Sequence, residues 1–107
     1  MNNRFGGFGG PNNMQAMMRQ AQKLQQEAMQ AKQEVEETVF EGSASGGLVT
    51  VEINGKYEML SVKIKPEVVD PEDVEMLEDL VVAAYNDASN KVEVKKNEKL
   101  GSFGGLI

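Results

Sequence analysis

Leu48-Val49-Thr50-Val51-Glu52-Ile53-Asn54-Gly55-Lys56-Tyr57-Glu58-Met59-Leu60-Ser61-Val62-Lys63-Ile64-Lys65 is the stretch that decides the fold. Val49, Val51 and Ile53 alternate with polar residues, the pattern of a strand with one buried face. Asn54-Gly55 then predicts a two-residue hairpin turn, because a type I′ turn needs positive φ at both central positions. In the returning run Glu58, Leu60, Val62 and Ile64 share one face, while Tyr57, Met59, Ser61 and Lys63 share the other. Thr38 to Ala44, closed by Ser45-Gly46-Gly47, adds a strand upstream. The three expected strands, Thr38 to Ala44, Leu48 to Ile53 and Lys56 to Lys65, make a three-stranded antiparallel meander with one face for helices.

Helical patterns flank the meander. From Asn13, read as an N-cap, apolar residues recur at Met14, Met17, Ala21, Leu24, Ala28, Ala31 and Val35, a heptad seam on a helix expected from Met14 to Glu37. At 1.5 Å per residue that helix is roughly 36 Å long, more than a small sheet can cover. Downstream, Asp70-Pro71-Glu72-Asp73 reads as an N-cap, a proline at the first helical position and acids in the first turn. Val74, Leu77, Leu80, Val81, Ala84, Ala88 and Val92 form the stripe of this second helix, and the apolar run Leu80 to Tyr85 predicts deep burial of its middle against the sheet or a partner. Gly101 is its expected stop. The fold class is therefore α+β, a long helix, three strands and a long helix, spanning residues 14–100 as one domain. The Gly-rich segments 1–13 and 101–107, containing Phe5, Phe8 and Phe103, are expected to be flexible tails.

Both seams outreach the sheet, and a chain of 107 residues with four Phe, two Tyr and no Trp has a modest core. Self-association is the expected remedy, with Leu24, Ala28 and Val35 on the first helix and Leu77, Val81 and Ala84 on the second as the interface. Alanines in the first seam imply close helix approach.

The composition narrows the chemistry. There is no Cys, so disulfides, thiolate nucleophiles and zinc-thiolate sites are excluded. There is no His either, which removes the commonest general base and transition-metal ligand. Glu36 and Glu37 form a pair without pocket-lining partners. Glu67, Asp70, Glu72, Asp73, Glu75, Glu78 and Asp79 lack the spacing of a calcium loop and read as caps and a solvated helix face. Gly42, Gly46 and Gly47 precede a strand rather than a helix, so they are turn and edge glycines and not a phosphate loop. No enzyme activity, cofactor, metal or small-molecule substrate is expected. No segment has the length and apolarity of a signal or membrane span, so no membrane is expected and the location is cytoplasmic.

The net charge of −6 is unevenly distributed. Residues 1–33 carry Arg4, Arg19, Lys23 and Lys32 against Glu27, or +3. Residues 34–88 carry fourteen acids against Lys56, Lys63 and Lys65, or −11, and residues 89–107 carry Lys91, Lys95, Lys96 and Lys99 against Glu93 and Glu98, or +2. Lys91, Lys95 and Lys99 follow helical spacing with Lys96 beside them, and Arg19 and Lys23 form a shorter stripe flanked by Gln15, Gln22, Gln26 and Gln30. Such stripes suit phosphates, and amides suit phosphates or base edges.

Glu41-Gly42-Ser43-Ala44-Ser45-Gly46-Gly47-Leu48-Val49-Thr50-Val51 followed by Asn54-Gly55, then Val69 to Leu80 with its Asp70-Pro71-Glu72-Asp73, and Ala83-Ala84-Tyr85-Asn86-Asp87-Ala88, resemble the YbaB/EbfC family of bacterial nucleoid-associated proteins. The resemblance covers about residues 14–105 and includes the Met- and Gln-rich first helix. It implies a tweezer-like homodimer whose protruding helices grip double-stranded DNA, with weak sequence preference and a role in nucleoid organisation or gene regulation. On that basis Arg19, Lys23, Lys32, Lys91, Lys95, Lys96 and Lys99 are the expected phosphate contacts, with Gln22 and Gln26 beside them. The acidic centre confines such contacts to the helix ends. The alternative expectation is a protein-interaction adaptor that docks a partner on its helices.

Overall fold

The computed structural model describes residues 11–106. It has the expected α-β-β-β-α order: α1 (Pro11–Glu37), β1 (Phe40–Ala44), β2 (Val49–Ile53), β3 (Met59–Ile64) and α2 (Val74–Leu100). A single 3-10 turn, Pro66–Val68, leads into α2, and Gly101–Leu106 continues it as 3-10 turns. The N-terminal tail expectation lies largely outside the described residues. Within them, α1 starts at Pro11 rather than after Asn13, consistent with a ring that pre-sets a helical φ and lacks an N–H the first turn would not use. The turns at Gly101–Leu106, kinked at Gly104, touch α1.

The sheet is antiparallel in the order β1-β2-β3. Phe40, Gly42 and Ala44 pair with Ile53, Val51 and Val49, and Val51 and Val49 in turn pair with Val62 and Ile64. One apolar face thus runs across all three strands, interrupted by a register shift between Glu52 and Ile53. The β2–β3 connection is not the two-residue hairpin expected at Asn54-Gly55. It is a longer loop in which the Asn54 side chain accepts hydrogen bonds from Lys56 N (2.9 Å) and Glu58 N (3.1 Å), and positive φ falls on Tyr57 (66°). Gly55 is needed for a different reason: a Cβ there would stand 2.0 Å from the Val35 carbonyl oxygen, where the loop passes the end of α1. Gly42 is likewise no mere edge glycine, since its Cβ would meet Ala84 O and Ala88 N at 2.3 Å. The bare backbone at Gly42 lets α2 lie directly on β1.

That close approach sets the core. Val35, Phe40, Ala44, Val49, Val51, Ile53, Val68, Ala84, Ala88 and Val92 are buried together, with Leu77, Leu80, Val81 and Tyr85 packed around them. Within the single chain the sheet covers only one side of the middle of α2: Ala84 is buried, and Val82 is 58% exposed. The start of α2 also differs from expectation. The Asp70 carboxylate accepts from Glu72 N (2.9 Å), closing a local turn, so the cap passes to Asp73, which accepts from Met76 N (3.2 Å). Gly101 keeps a right-handed conformation (φ −60°) and so does not end the helix by a left-handed step.

Only the last part of α1 joins this core. Ala28 and Val35 are buried, whereas residues 13–27 are exposed without exception. The heptad seam is therefore divided, its lower half packed within the chain and Met14, Met17, Ala21 and Leu24 left bare. The molecule measures 85 × 18 × 17 Å.

Candidate nucleic-acid interface

The seven expected cations fall into two electrostatic classes. On α2, Lys91 Nζ donates to the Glu41 carbonyl (2.6 Å) and lies 3.7 Å from Asp87. Lys96 lies 3.8 Å from Glu93 and 5.2 Å from the centre of the Tyr57 ring, and the Tyr57 hydroxyl donates to Glu93. Lys99 reaches across to Glu34 on α1 at 3.4 Å. Three of the four α2 lysines are thus engaged in the chain's own contacts, and among the described residues Lys95 is the one without an ion pair.

Arg19, Lys23 and Lys32 on α1 have no ion pair among the described residues. Arg19 and Lys23 stand one turn apart on the exposed arm, where Glu27 is the single acid. Gln15, Gln20, Gln22, Gln25 and Gln26 surround them, all exposed. By helix rise this bare arm of residues 13–27 is about 22 Å long. It offers cations and amides to a polyanion with almost no competing carboxylate, which the α2 stripe does not.

The residues expected at a subunit interface also divide. Ala28, Val35 and Ala84 are buried inside the single chain, so they serve its own packing rather than a surface open to a partner. The periodicity that selected them is the same for an internal and an external contact. Leu77 and Val81 are half-buried at the rim of the core, and Leu24 is exposed.

Asp87, to which sequence reasoning gave no role, belongs with Lys91. β1 is an edge strand, and its outward backbone groups at Glu41 and Ser43 are occupied by α2: Lys91 takes Glu41 O, and Asp87 accepts from Ser43 N at 3.0 Å. The i, i+4 spacing of Asp87 and Lys91 signals an ion pair, but not that the pair closes a sheet edge.

The carboxylates of 67–79 are strung along the turns and first part of α2, and no group of three or more metal-binding side chains occurs among the described residues. An open groove between α1 and the β2–β3 loop is lined by Gln26, Met29, Gln33, Glu36, Asn54 and Glu58, among others. No helix among the described residues is long and apolar enough to cross a membrane.

A family model described as the YbaB/EbfC DNA-binding family matches residues 10–107. A nucleoid-associated protein of Bacillus licheniformis is 57% identical over 95 residues, covering 89% of either chain. One of Alkaliphilus metalliredigens is 48% identical over 101 residues, covering 94% of this chain and 89% of the relative. Among solved structures, an uncharacterized protein of Helicobacter pylori superposes with a TM-score of 0.62 at 24% identity, covering 91% of this chain and 97% of the other, a likeness of fold.

Proposed function

Because this chain belongs to the YbaB/EbfC DNA-binding family, we propose that it is a nucleoid-associated homodimer that contacts duplex DNA mainly through phosphates, with weak sequence preference. Its place is the cytoplasmic nucleoid, and its role is nucleoid organisation or gene regulation rather than catalysis. The observation that supports the mode of binding is the α1 arm. Fifteen exposed residues carry Arg19 and Lys23 free of ion pairs, with a single acid among them. A free cation gives a phosphate its full attraction and releases a counterion from the DNA. A paired lysine must first leave its carboxylate. Lys32 and Lys95 extend the footprint, and Lys91, Lys96 and Lys99 join it by exchanging partners.

Such binding weakens steeply as salt rises, by a slope of about 0.9 for each phosphate neutralised. The test is a salt titration of duplex binding for the wild-type chain and Arg19→Ala/Lys23→Ala. The variant should bind all duplexes more weakly by a similar factor, with a shallower slope. An unchanged slope would remove the arm from the interface.

Exposed Met14, Met17 and Leu24 support a second reading, an adaptor docking a protein partner on the same arm. A stoichiometric partner retained from nuclease-treated lysate would favour it, provided Met17→Lys/Leu24→Lys abolishes capture.

A further inference from the structure

The acids that hold the α2 lysines have unequal duties. Asp87 accepts from Ser43 N and Glu93 from the Tyr57 hydroxyl, so each of them also ties α2 to the sheet or to its loop. The Glu34 carboxylate has one partner among the described residues, Lys99 Nζ at 3.4 Å, which lies 65 residues away on the other helix. Lys99 in turn has no second ion pair or hydrogen bond there. The Glu34 and Lys99 side chains are 64% and 43% exposed, and an ion pair so open to water contributes little to stability. What the pair does change is charge, because it cancels a cation where the cations of both helices collect. Lys32 of α1 and Lys96 of α2 line one open hollow of about 360 Å³, with Asn97 beside Lys96, and Lys99 follows Lys96 at helical spacing. The acids facing this junction are Glu34 and Glu36 from α1 and Glu93 from α2.

Resting on the DNA-binding reading above, we propose that Glu34 masks Lys99 and so holds down affinity for duplex DNA: a phosphate reaches Lys99 only by displacing the chain's own carboxylate. In the free protein the pair is closed and Lys99 is electrically cancelled. On the duplex Lys99 turns to a phosphate oxygen, and Glu34 is left charged beside a polyanion, where it draws a cation back from solution. That uptake offsets part of the counterion release that drives binding. Glu34 thus opposes DNA twice, through a contact that must break and an ion that must be recovered. Displacement is possible because Arg19 and Lys23 carry no mask and lie on the same helix as Glu34, Lys23 about 17 Å from it along the axis. A duplex held on the arm presents its phosphates to Lys99 at high effective concentration.

The test is duplex binding by fluorescence anisotropy over a salt series for the full chain, Glu34→Gln, Lys99→Ala and the double variant, with circular dichroism melting to establish equal folding. Glutamine keeps the length and helix preference of glutamate and removes its charge. Glu34→Gln should bind every duplex about 2- to 5-fold more tightly for each chain engaged, with a steeper salt dependence. In the Lys99→Ala background the same substitution should tighten binding by a smaller factor, since it relieves general repulsion but frees no lysine. Equal factors in the two backgrounds overturn the mask and leave DNA binding standing, as does a Glu34→Gln chain that binds no more tightly than the wild type. A wild-type chain that binds no duplex at any salt concentration overturns both.

Discussion

Gly42 and Gly55 hold the molecule together by having no side chain. At Gly42 the obstacle to a Cβ is backbone, Ala84 O and Ala88 N, and at Gly55 it is the Val35 carbonyl. Neither neighbour can rotate away. Gly42→Ala and Gly55→Ala should each destabilise the fold by roughly 1–3 kcal/mol or more through overpacking. For a domain of this size the melting temperature falls about 4–8 °C for each kcal/mol. Gly101→Ala is the control, because its φ is −60° and nothing lies within 4 Å, and it should leave the melting temperature unchanged or slightly raised. Equal melting temperatures for all three would refute the close-approach account. The sequence marks these glycines but not their purpose. Asn54-Gly55 reads as a local turn signal, and the helix end that makes glycine necessary is twenty residues away along the chain.

At the scale of elements, periodicity located both helices and all three strands, because alternation and helical spacing record which face is buried. It could not say what buries that face. The first seam runs unbroken from Met14 to Val35 in sequence, yet Val35 lies in the chain's own core and Met17 stands in solvent. Boundaries moved where side chains compete for backbone donors, as when Asp70 captures Glu72 N and leaves the cap of α2 to Asp73. The lysine stripe on α2 shows the same limit. Its spacing was legible, but its partners Glu41, Glu34 and Tyr57 come from other elements. Exposed ion pairs contribute only about 0–1 kcal/mol, so phosphate can displace them at a small cost. Lys91→Ala/Lys95→Ala/Lys99→Ala should therefore lower DNA affinity, but by less than Arg19→Ala/Lys23→Ala despite removing one more cation per chain. Fluorescence anisotropy at one fixed salt concentration ranks the two variants, and the reverse order would return the main contact to α2.

At the scale of the whole molecule, the fold is a rod 85 Å long and 18 Å across, in which neither helix, at about 40 Å, reaches half the length. The sheet edge beside Asp87 and Lys91 has a further consequence, best put in the terms of polymer growth. A strand edge is a reactive end, and a unit with two such ends propagates whereas a unit with one terminates. Asp87 and Lys91 act as the end-group that caps the β1 edge, so chains cannot add to one another through it. Asp87→Ala/Lys91→Ala should uncover this reactive end and produce species larger than those of the unmodified chain, growing with protein concentration in light scattering. A variant that scatters like the wild type would mean that the end-group is not what stops growth.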